Sequence, residues 1–149
     1  MMDYINRLSC SFDAKSTNEG LARTIVSAFA VMLDPTLEEI TDLRTAVSEA
    51  VTNSIIHGYG DRRNPDDKVY LDCTLYDDRI EVIVTDHGCG IADLEQAMQP
   101  MYTSAPDMER SGMGFTVMET FTNQLEVKSE VGQGTVVKMV KVFDSKQKE

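Results

Sequence analysis

Three things are scarce in this sequence, and each scarcity excludes something. Basic residues come first: 14 lysines and arginines face 25 aspartates and glutamates, a net charge of −11. A protein that grips nucleic acid by its phosphates needs a basic surface. No direct nucleic-acid partner is therefore expected, whereas a basic protein partner is compatible with the charge. Long apolar runs are also missing. None is long enough to span a bilayer and the first residues carry no signal-peptide pattern, so no membrane partner and a cytoplasmic location are expected. Cysteine is sparse: Cys10, Cys73 and Cys89 are odd in number and widely spaced. That suits reduced thiols better than a disulfide frame or a zinc site. His87 and Cys89 are close together, but no second ligand pair accompanies them.

What is present is ordinary for a globular chain: 149 residues, 42% hydrophobic and 26% charged. That length accommodates one domain with a real core over residues 1–149, ending in a polar tail from about 144. Residues 4–12 alternate apolar and polar, as a strand at a sheet edge or an interface does. Ser16 or Thr17 can cap a first helix, in which Leu21, Ile25, Ala28, Phe29 and Met32 form a stripe and Arg23 lies nearly opposite, exposed. Asp34-Pro35-Thr36 breaks it. Thr36 or Pro35 starts a second helix with Glu38 and Glu39 near the positive end of its dipole. This helix runs to His57-Gly58 and carries Ile40, Leu43, Val47, Val51 and Ser54 on one stripe, with Glu49 and Asn53 one turn apart on the other side.

A loop at 59–67 leads to two strands, 68–76 and 79–85, joined by a tight turn at Asp77-Asp78. A short helix over 92–98, a loop from Pro100 to Arg110, a helix from Met113 to Phe121 and strands 125–130 and 135–142 complete the order. This succession implies an α+β sandwich: a mixed, mainly antiparallel sheet with helices on one face.

The residues that can carry chemistry each have a plain structural alternative. Asp86 ends a strand before Gly88 and Gly90. It either closes a turn on its own backbone or accepts a hydrogen bond from an amino group such as that of adenine, the glycines letting the base approach. Gly112 and Gly114 precede a helix and either form a turn or cradle phosphates. Arg110 is a solvated loop charge or a phosphate ligand. Thr135 is a strand residue or a hydroxyl reaching the base. Glu49 and Asn53 face water, or act as a general base and a metal ligand.

In order and spacing these segments resemble the GHKL ATP-binding superfamily, which includes gyrase, MutL and histidine-kinase catalytic domains. The matching parts are Glu49-x-x-x-Asn53, Asp86-x-Gly88-x-Gly90, a variable lid, Gly112-x-Gly114 and Gly132-x-Gly134-Thr135. The stretches SEAVTNSIIHGY (48–59), ERSGMGF (109–115), LDPTLEEI (33–40) and DLEQAMQP (93–100) resemble more closely the anti-sigma serine kinases of sporulating bacteria. That resemblance covers almost the whole chain. It implies a two-layer GHKL sandwich that binds ATP or ADP with Mg²⁺, holds a sporulation sigma factor inactive, and phosphorylates an anti-anti-sigma protein on serine, as a homodimer. It assigns Glu49 as general base, Asn53 to Mg²⁺, Asp86 and Thr135 to adenine with Gly88 and Gly90 beside it, and Gly112, Met113 and Gly114 to phosphates. Arg110 would meet the terminal phosphate or the partner, and Arg23 the partners. One departure is the lid, which reads Thr103-Ser104-Ala105-Pro106 where the family carries a lysine before the proline. Two rival readings are a histidine-kinase catalytic module and an ATP-gated sigma-binding module that transfers nothing.

Overall fold

The computed structural model describes residues 3–60, 62, 64–99 and 114–144. Its elements follow in chain order: β1 (Asn6–Asp13), α1 (Asn18–Ala30), a 3₁₀ turn (Val31–Leu33), α2 (Leu37–Thr52), a π-helical turn (Asn53–Gly58), β2 (Lys68–Leu75), β3 (Arg79–Asp86), α3 (Leu94–Ala97), α4 (Gly114–Thr120), β4 (Gln124–Glu130) and β5 (Gly134–Val142). The strands form one sheet in the order β1-β2-β3-β5-β4. All four pairings are antiparallel, so the described sheet has no parallel pair.

Strand periodicity decides which face is covered. In β2 the buried residues are Val69, Leu71, Cys73 and Leu75; in β3 they are Ile80, Val82, Val84 and Asp86. Cross-strand register stacks these into rows, Leu71 opposite Val84 and Val84 opposite Val137, and such rows are the unit of sheet stability. The helices lie on that face, α1 packed on α2 and α2 on α4. Leu43, Ala46, Val47, Ala50 and Val51 turn the apolar side of α2 into the core.

α2 begins as its sequence dictates. Thr36 accepts from the Glu39 amide at 3.1 Å while the Glu39 carboxylate accepts from the Thr36 amide at 2.8 Å, a complete capping box. The other Glu39 oxygen accepts from the Asp144 amide at 2.7 Å. Lys141 Nζ reaches Asp42 at 3.5 Å. Both contacts tie the start of α2 to the end of β5.

α1 departs from expectation in part: Phe29 is buried and Ile25 packs on the core as the sequence stripe has them, but the rest of the stripe does not. Its buried residues are Ala22, Val26, Ser27, Phe29 and Ala30, while Leu21 and Met32 are 47% and 60% exposed and Ala28 is also exposed. Both candidate stripes have helical spacing. The observed one turns Ala22 and Ala30, both fully buried, into the core, where small side chains let the helix pack closely. That rotation of about one residue also moves Arg23 off the outer face. Its side chain is 43% exposed, its Nη1 pairs with Glu19 at 3.1 Å, and its Nε is shielded from water with no hydrogen-bond partner among the described residues.

Candidate functional site

The site is built where α2 stops being an α-helix. Asn53 opens a π turn, closed by the Tyr59 amide donating to the Ser54 carbonyl, five residues back, at 3.0 Å. Such single π turns occur mostly as local insertions near functional positions. Widening the turn frees carbonyls at its end, and the segment after β3 fills them. The Cys89 amide donates to Gly58 O at 2.8 Å and the Cys89 thiol to His57 O at 3.2 Å. Tyr59 clamps the same region, its hydroxyl donating to Lys68 O at 2.6 Å and accepting from the His87 amide at 2.7 Å. Arg62 in turn grips the buried Asp67 with two hydrogen bonds, 2.5 and 2.6 Å.

The turn from Asp86 to Gly90 is wedged between two other turns. A Cβ on Gly88 would lie 2.1 Å from Gly58 O, and one on Gly90 would lie 2.2 Å from Glu130 O. The Gly132 amide donates to Cys89 O at 2.8 Å. Gly134, at φ +115°, would place a Cβ 2.0 Å from Asp86 O. Hence the glycines at 88, 90 and 134 are required by contact, and 90 and 134 also by a backbone conformation that side chains disfavour.

Asp86 sits at the centre, 1% exposed. Its Oδ1 accepts from the Gly88 amide at 2.9 Å; its Oδ2 is buried with no hydrogen-bond partner among the described residues. Burial pushes its carboxyl above the usual range, opposed by the Gly88 amide, the Ser54 hydroxyl and the Thr135 backbone, none of which bonds to Oδ2. A buried, unpaired carboxylate oxygen costs free energy unless something donates to it. Gly58 lies against this carboxylate, since a Cβ there would be 2.8 Å from Oδ1.

Register carries the row onward: Asp86 is opposite Thr135 and Thr135 is opposite Ser129. Thr135 is 3% exposed, and its Oγ1 lies 2.8 Å from Ser129 Oγ. Glu49 and Asn53 stand one turn apart at the end of α2, each half-buried.

Thus Asn53, Asp86, Gly88, Gly90 and Thr135 are gathered about the junction of the π turn, the β3 end and the β4–β5 turn. Gly114 opens α4, which packs on α2. Arg110, Gly112, Met113 and the lid with Ala105 lie outside the described residues. Arg23, on α1, belongs to a different part of the surface. Tyr59, Ser54 and Ser129 were not picked out by motif. Ser129 alone had a sequence signal, six residues before Thr135 across a glycine-centred turn and therefore on the same sheet face.

Comparison with known proteins finds relatives over nearly the whole chain. The Histidine kinase-like ATPase domain family matches residues 12–141. The chain is 56% identical to the anti-sigma F factor of Clostridium novyi over 140 residues, covering 94% of this chain and 96% of that relative. It is 55% identical to the anti-sigma F factor of Clostridium beijerinckii, covering 93% and 96%. It is 51% identical to that of Oceanobacillus iheyensis, covering 91% and 92%. The fold is similar to part of a crystal structure of RsbU and RsbW domains from Mycobacterium tuberculosis, with a TM-score of 0.64 and 16% identity. That match covers 93% of this chain and 32% of the longer one. The chain therefore belongs to the Histidine kinase-like ATPase domain family and, within it, to the family of the anti-sigma F factors.

Proposed function

We propose that this chain is an ATP-dependent anti-sigma factor that holds a sporulation sigma factor inactive and phosphorylates a serine of its anti-anti-sigma antagonist. The observation that carries the nucleotide part is Asp86. A buried carboxylate oxygen with no partner among the described residues, beside Gly58, where a Cβ would lie 3.0 Å from it, fits the amino group of a planar base. The sigma-factor part rests on the relatives' names together with the extent of the match.

In this reading Asp86 and Thr135 take the adenine of ATP or ADP, with Gly88 and Gly90 close to the ring. Gly112, Met113, Gly114 and Arg110 take the phosphates. Mg²⁺ in nucleotide sites is held by one or two protein oxygens together with the phosphates, and the carboxamide of Asn53 is such a donor; when bound, the ion offsets charge on the transferring group. Glu49 accepts the proton of the substrate serine hydroxyl as that oxygen attacks the terminal phosphorus, the bond to the leaving oxygen of ADP breaking. Arg23 contacts the protein partners, the working unit is a homodimer, and the setting is the cytoplasm. Among the described residues no helix is long and apolar enough to cross a membrane.

The nucleotide can select between partners only if it binds their complexes with different affinity. Capture of the sigma factor by this chain in ATP and in ADP tests that. More capture in ATP supports the reading; equal capture in both, or none in either, removes it.

A further inference from the structure

We propose that Ser129 fixes the direction of the Thr135 hydroxyl and thereby makes the site select a purine with an exocyclic amino group over a 6-oxo purine. This rests on the reading of Asp86 and Thr135 as the base-recognition pair and adds a residue that no motif supplies.

The inference follows from counting protons around one oxygen. Ser129 Oγ has three neighbours. The Ile91 amide lies 2.7 Å away and can only donate. The Gly134 carbonyl lies 3.1 Å away and can only accept. Thr135 Oγ1, at 2.8 Å, can do either. A serine hydroxyl has one proton and two lone pairs. If Ser129 gives its proton to Gly134 O, it accepts from Ile91 and from Thr135, and all three contacts are hydrogen bonds. If Ser129 gives its proton to Thr135 instead, the contact with Gly134 O is lost. Among these three contacts the first arrangement makes one more bond in a part-buried setting, so it prevails.

The Thr135 proton then points at Ser129 and away from any ligand. What Thr135 Oγ1 offers outward is lone pairs only. Asp86 Oδ2, across the register on the neighbouring strand, also offers only lone pairs when ionised. Asp86 and Thr135 are directly opposed on neighbouring strands, so one small ligand group can meet both. Two acceptors without a donor suit an –NH₂, which has two hydrogens to give, and confront a 6-oxo group with lone pair against lone pair. Ser129 also holds the segment that follows the Asp86–Gly90 turn through the Ile91 amide, so one side chain sets both the hydroxyl direction and the loop beside it.

The test is calorimetric binding of ADP and inosine diphosphate to the full chain as wild type, Ser129→Ala, Ser129→Thr, Thr135→Val and the double variant Ser129→Ala/Thr135→Val. Wild type should prefer ADP. Ser129→Ala frees the Thr135 hydroxyl to turn and donate to a 6-oxo group, and the preference should fall about tenfold. Ser129→Thr keeps a hydroxyl and should restore it. In the Thr135→Val background the Ser129→Ala change should leave the preference where Thr135→Val alone puts it, an outcome that general loosening of the loop would not give. An unchanged preference in folded Ser129→Ala overturns the inference, as does an equal fall in both backgrounds. If Ser129→Ala does not fold, Ser129→Thr lacking wild-type preference overturns it. Wild type that binds neither nucleotide, or both equally, overturns the reading of the base site itself.

Discussion

Replacing Asp86 by asparagine separates what the site does for the fold from what it does for a ligand. The Asp86 side chain is 1% exposed, with Oδ1 taken by the Gly88 amide at 2.9 Å and Oδ2 partnerless among the described residues. In Asp86→Asn the amide oxygen keeps the Gly88 bond and an NH₂ group stands where Oδ2 was. That group donates, so an incoming amino group meets a donor instead of an acceptor. A badly paired buried polar group costs about 1–3 kcal/mol, which weakens ADP and ATP alike by about 5- to 150-fold. The nucleotide-free protein responds differently. Burial raises the Asp86 carboxyl above its ordinary value. Relative to the unfolded chain, the folded chain therefore prefers the protonated form, and the stability this group contributes is lost as pH rises through the raised value. Whenever the Asp86 carboxyl is ionised it carries the penalty of a desolvated charge, which the neutral amide does not. Free Asp86→Asn should therefore melt no lower than wild type at pH 7, while its ADP-induced rise in Tm shrinks. Wild type should gain stability on acidification through this titration, and the variant should lack that gain. Thermal melts across pH, with and without ADP, read all of this. Wild-type ADP affinity in the folded variant would refute the role of Asp86, and a large drop in the free protein's Tm would refute the description of Oδ2 as an unpaired buried oxygen.

Two further substitutions probe other parts of the account. Tyr59→Phe removes both the donor to Lys68 O and the acceptor for the His87 amide. It should lower stability by about 1–3 kcal/mol and loosen the Asp86 turn, seen as an earlier urea midpoint and weaker ADP binding; identical midpoints would show that the hydroxyl clamps nothing. Arg23→Ala removes a half-exposed pair with Glu19 and should change stability by less than about 1 kcal/mol. It should weaken capture of both the sigma factor and the anti-anti-sigma protein without changing ADP affinity, and normal capture of both would exclude Arg23 from a shared surface.

Much of the architecture was readable because strands announce themselves by alternation and helices by their caps. Lys68 to Leu75 and Arg79 to Asp86 alternate cleanly about Asp77-Asp78, and the strands are there. Thr36 and Glu39 stand three apart, the spacing of the capping box that forms. On α1 the sequence stripe holds for Phe29 and Ile25 but not for Leu21, Ala28 and Met32, because two stripes about one residue apart are equally periodic and only packing in the fold, which buries Ala22 and Ala30, chooses between them. The π turn at Asn53–Gly58 has no local signature. It exists together with a distant segment, through the Cys89 amide and thiol, that bonds the carbonyls it releases. Ser129 lay hidden for a related reason: a serine on a strand is common, and its three contacts come from Ile91, Gly134 and Thr135, brought together by tertiary structure. The sequence reads the glycines after Asp86 as room for an approaching base; in the structure the close approach at Gly88 and Gly134 is made by the chain's own backbone. Arg110, Gly112 and Met113 lie outside the described residues.

The central claim is that this chain transfers phosphate from ATP to a protein serine with Glu49 as the base. Its most direct test is incubation with γ-labelled ATP, Mg²⁺ and the candidate anti-anti-sigma protein, followed by mapping of the modified residue, for wild type and for Glu49→Gln. Wild type should label one serine of the acceptor. Glu49→Gln should bind ATP and the sigma factor as before yet transfer about 10²- to 10⁴-fold more slowly, the usual worth of general-base assistance. Wild type that binds ATP and the sigma factor but labels no serine would contradict the account, and so would transfer at the wild-type rate by Glu49→Gln.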